Sequence, residues 1–122
     1  MKQLAITIAH GIAGWAMCGA TMSIGLATTT LSRALVIHAI AAPIIFGAVS
    51  LVHLRKQRYP PPLKMAFVFT ATVISMDVLV VAPIIERSFQ MFASPLGTWI
   101  PFTLIFLSSW MTGILVPPAR PR

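Results

Sequence analysis

Asparagine is missing from the 122 residues, and acids nearly so, since Asp77 and Glu86 are the only two. The first absence excludes Asn-linked glycosylation in any host. The second, set against nine Lys and Arg, leaves a formal charge of +7. Cys18 is the sole cysteine, so no intrachain disulfide and no paired-cysteine metal motif can form. Charged residues make up 9% of the chain, where a soluble domain carries about a quarter.

What fills the space is hydrocarbon: 57% of the residues are hydrophobic. A soluble core of this size cannot hide that much apolar surface, because small domains leave a large share of their area in water. The expected partner is therefore the lipid bilayer. Nucleic acid is not expected, because the basic residues fall between apolar runs and do not line one face of a helix.

A spanning helix needs about 20 mostly apolar residues, and four runs qualify, over 4–27, 34–54, 65–85 and 99–116. They predict an all-α integral membrane protein, a single membrane domain across 1–122 with four transmembrane helices in an antiparallel up-down bundle. The link "TTTLSR" is short enough to force neighbours to fold back, with Ser32 as an expected N-cap. "RKQRYPPPLK" holds three successive prolines that no helix continues through. The link "ERSFQMFASPLGT" mixes Phe89, Met91, Phe92 and Leu96 with polar residues, as an interfacial segment does.

Seven basic residues (Lys2, Arg55, Lys56, Arg58, Lys64, Arg120, Arg122) fall on one side of this arrangement and two (Arg33, Arg87) on the other. The positive-inside bias then places both termini in the cytoplasm, in a multi-pass protein of the inner (plasma) membrane.

Small residues recur every four positions along the first span, Gly14 with Cys18 and Thr21 with Gly25, which lets a second backbone approach closely. They fit packing within the bundle, a homo-oligomer seam or contact with another membrane protein. Pro43 and Pro83 lie inside spans, where each removes a backbone hydrogen bond and favours a kink.

Asp77 stands out. Eight residues short of Ile85, it lies about 12 Å below that end of its span. A carboxylate at such depth costs about 2.5–3.5 kcal/mol on insertion scales, so it should face the bundle interior or water. His38 is its expected partner, His10 an inner member of the same pathway, and Glu86 a group at the outer mouth. His53, among arginines, reads as interfacial.

Catalysis finds little support: Ser108 and Ser109 have no base beside them, so no enzyme is expected. No cofactor is expected either. Haem held by His10 and His38 would have to bridge about 15 Å of height. Copper would want the repeated Met or His spacing that is missing here. In length and span count the chain resembles the small multidrug-resistance transporters and the small fluoride channels. The former carry an acid on the first span, where His10 stands here. The leading expectation is a proton-linked transporter or channel-like unit for a small solute. The alternative is an accessory or assembly subunit of a larger membrane complex, with a structural Asp/His pair.

Overall fold

A computed structural model describes residues 2–56, 61–87, 90–93 and 98–116. Every regular element among them is helical. Helix α1 runs Lys2–Thr28, α2 Leu31–Lys56 and α3 Pro62–Met76, which continues as a π-helical segment over Asp77–Glu86. A single 3-10 turn, Gln90–Ala93, precedes α4 at Ile100–Leu115. Three stretches are long and apolar enough to cross a membrane: Leu4–Thr28, Leu31–Arg55 and Pro62–Ile84. Helix α4, apolar but shorter, coincides with the fourth expected span.

The first turn is tighter than expected. Thr29 N–H donates to the Gly25 carbonyl, and Thr30, not Ser32, caps α2 by accepting from Arg33 N–H at 3.3 Å. Close approaches then recur at equal distances from this turn. A Cβ on Gly25 would lie 3.0 Å from Ala34 Cβ, and one on Gly14 only 2.6 Å from Phe46 Cζ. Glycine at 14 is thus what admits the Phe46 ring. Pro62, at the first position of α3 where a missing N–H costs nothing, packs on Gly113 of α4.

Helix α1 touches α2 and α3, and α4 touches the same two. Between them lies one apolar cluster that includes Phe46, Val49, Met65, Phe69, Val73, Phe102 and Ile105. Outside it the usual pattern is inverted. Ile24, Ile44, Phe67, Leu79 and Leu115 are each more than 60% exposed, while Thr7, Ser50, His53 and Ser109 are fully buried. Apolar surface on this scale marks a membrane or partner contact. The bundle interior is where helices in hydrocarbon place their polar side chains.

Pro43 leaves α2 continuous. The third span, expected as one α-helix, instead widens at Asp77. Pro83 supplies the physical reason: it has no N–H to donate, and its ring crowds the carbonyl four residues back. The looser π register eases the crowding, while the missing donor remains. Arg87 ends the segment in the left-handed conformation, φ 55°, with its N–H on the Ala82 carbonyl.

Candidate functional site

Two polar layers are built on α1. In the first, the Trp15 indole N–H donates to Asp77 Oδ1 at 3.0 Å, joining α1 to the start of the π segment. Cys18, buried one turn along α1, lies within electrostatic reach of that carboxylate. Asp77 therefore faces the bundle, as expected, but its partner is Trp15.

His38 is elsewhere. Trp15 marks the height of Asp77 on α1, whereas the α1 residue opposite His38 across the turn is Thr21 or Met22. That offset, roughly six or seven residues, separates the two groups by about 10 Å along the bundle. His38 Nδ1 is buried without a hydrogen-bond partner among the described residues.

The second layer centres on His53. Its Nε2 lies 2.9 Å from Thr7 Oγ1, and its ring meets His10 edge-on at 5.1 Å and Phe69 edge-on at 5.8 Å. His53 is fully buried in the bundle, three residues before the end of α2. His10 Nδ1 lies 2.8 Å from the Ile6 carbonyl. A carbonyl only accepts, so Nδ1 carries the hydrogen, and in the neutral ring the lone pair is on Nε2. His53 Nδ1 is buried and without a partner among the described residues, and so is Ser50 Oγ one turn earlier on the same helix.

Phe46 and Phe69, with ring centres 5.8 Å apart, belong to the apolar cluster that lies alongside these layers. Thr70 Oγ1 on α3 and Ser109 Oγ on α4 are two further buried atoms without a partner among the described residues. A buried polar group left unpaired costs about 1–3 kcal/mol. Of Glu86 the backbone closes the π segment, while its side chain lies outside the described residues. Trp99, at the start of α4, anchors the 3-10 turn by donating its indole N–H to the Phe92 carbonyl at 2.7 Å. No group of three or more His, Cys, Asp or Glu is placed to hold a metal ion among the described residues.

The chain matches no family model, no curated protein and no solved structure. What the helices define is a class only: an all-helical protein with three helices long and apolar enough to cross a membrane.

Proposed function

We propose that this chain is a four-span, multi-pass protein of the inner membrane that moves a proton, or a small solute linked to one. One observation carries the reading. Five buried side-chain atoms on α2, α3 and α4 (His38 Nδ1, Ser50 Oγ, His53 Nδ1, Thr70 Oγ1, Ser109 Oγ) have no hydrogen-bond partner among the described residues. They join a carboxyl group whose one partner among the described residues is an indole. Polar groups this costly are kept inside a membrane bundle where water, a proton or a solute meets them.

In this mechanism Asp77 binds and releases the proton, and Trp15 orients its carboxyl. His53 and His10 form an inner relay with Thr7, and His38 serves the far end. The up-down arrangement draws support from the pairing of Thr7 with His53, Gly14 with Phe46 and Gly25 with Ala34. Cytoplasmic termini rest on the seven-to-two basic asymmetry. A small bundle of this kind works as a homo-oligomer or beside another membrane protein.

The test is proton-coupled flux in reconstituted vesicles. Asp77→Asn abolishes it and His53→Phe reduces it, while both variants insert and keep the wild-type oligomeric state. Flux unchanged in Asp77→Asn, or none from wild type under any gradient, removes the reading.

A second reading, an accessory subunit of a larger complex, is favoured by Trp15 and Thr7 each answering a buried polar group within one chain. It predicts extraction in gentle detergent together with other subunits in fixed ratio, and a lone homogeneous species counts against it.

A further inference from the structure

Between α1 and α3 an open groove of about 420 Å³ runs along the outer surface, lined by Leu4, Ile8, Ile12, Phe67, Val68 and Ala71 among others. Its floor is the close approach of Gly11 to Thr72, where a Cβ on the glycine would sit 3.2 Å from Thr72 Cβ. Thr72 also lines it, with the hydroxyl turned back to the Val68 carbonyl at 2.7 Å and so not presented to a ligand. From Leu4 to Ile12, and from Phe67 to Met76, the walls are about 12–14 Å long at the helical rise. That is close to half of the ~30 Å hydrocarbon thickness, or one leaflet.

The charge at its two ends differs. Lys64 is exposed one helical turn before Val68, on the same stripe as Val68 and Ala71, and Lys2 is exposed just before Leu4. Both cations stand at the same end of the groove, where a headgroup would lie. The deep end finishes beside Asp77, whose carboxyl is engaged by Trp15.

We infer that this groove seats one anionic phospholipid, with an acyl chain along α1 and α3 and the phosphate at Lys64 and Lys2. Apolar length supplies the seat and the lysines supply the selection, as in other basic sites between membrane helices. The inference needs the chain to be embedded in a bilayer and owes nothing to transport.

Native mass spectrometry of the full chain, released from mild detergent after titration with phosphatidylglycerol or phosphatidylcholine of equal chain length, tests it. One phosphatidylglycerol is retained in preference to phosphatidylcholine. Lys64→Gln weakens phosphatidylglycerol about fivefold, the equivalent of ~1 kcal/mol per basic residue, and leaves phosphatidylcholine unchanged. Ala71→Phe, at an exposed position in the groove, displaces both lipids while helix content by circular dichroism is retained. Equal retention of the two lipids by wild type overturns the inference, as does undiminished binding in Ala71→Phe. So does a lipid-free dimer that Ala71→Phe converts to monomer, because a second copy then fills the groove. A chain that stays in solution without detergent removes the membrane reading itself, whereas a chain that inserts without lipid selectivity removes the lipid seat alone.

Discussion

Replacing Trp15 by Phe deletes the one described hydrogen bond on the Asp77 carboxyl while keeping an aromatic ring in place. Its size follows from what surrounds the pair. A hydrogen bond to a charged group in a water-soluble protein contributes about 1.5–3 kcal/mol. Between membrane helices, side-chain hydrogen bonds average about 0.6 and reach about 1.7 kcal/mol. Trp15 and Asp77 are half-buried and 3.0 Å apart, which puts the coupling near the top of the membrane range, about 1–1.7 kcal/mol. A double-mutant cycle with Asp77→Ala isolates this coupling from the packing lost with the indole. The assay is reversible unfolding in mixed micelles as the denaturing detergent fraction rises, followed by helix content. Asp77→Asn refines it. The amide oxygen still accepts from Trp15, so the bond survives without charge, and Trp15→Phe in that background should cost only ~0.6 kcal/mol. A coupling no larger than ~0.4 kcal/mol, within the scatter of additivity, would refute the claim that this bond ties α1 to the third span.

Two further outcomes follow from the packing. Gly14→Ala drives a methyl against the Phe46 ring, so it should destabilise the fold by about 1–3 kcal/mol, and Phe46→Leu should recover most of that loss in the same unfolding assay. Thr7→Val leaves His53 Nε2 buried and unpaired, at about 1–3 kcal/mol, whereas Thr7→Val with His53→Phe removes both partners and should lie close to wild type. A double variant as unstable as the sum of the singles would refute the Thr7–His53 bond.

The four helices were legible in the sequence because one property, the run of apolar residues, dominates their energetics in hydrocarbon, whereas their ends, such as the Thr30 cap of α2, depend on local hydrogen bonds that the run does not reveal. Asp77 could be expected to turn inward for the same reason, but its partner could not be assigned. A carboxyl needs a donor, and counting only titratable groups favoured His38 over an indole that looks like one more apolar ring. For His53 the neighbours Arg55 and Lys56 argue for a height near the interface but not for the direction of the ring, which turns into the bundle. The signal that finds it is positional: a two-residue turn at 29–30 sets Thr7 opposite His53 and Gly14 opposite Phe46. The widening at Asp77 was only half visible. Pro83 announces a break, yet proline alone does not choose between a kink and a looser helical register.

That register bears on how the proposed pathway would work. The carboxyl stands at the first residue of the widened segment, and Pro83 and the left-handed Arg87 stand at its sixth position downstream and just beyond its end. Backbone bonds in a π segment are strained relative to the α-helix, and such segments recur at functional sites. In the proposed mechanism this second half of the third span is the part whose hydrogen bonding changes, and Trp15 clamps it at its first residue. Proton binding at Asp77 alters the strength of that clamp, because a charged acceptor holds an N–H about twice as strongly as a neutral one. In the proposed mechanism the carboxyl thus links two events through one bond, the arrival of a proton and the loosening of the segment beyond it. Pro83→Ala separates them: with the missing donor restored, the segment should return to α-helical register and flux should fall, while the Trp15–Asp77 coupling persists. Full flux in Pro83→Ala would show that the widened segment takes no part in transport.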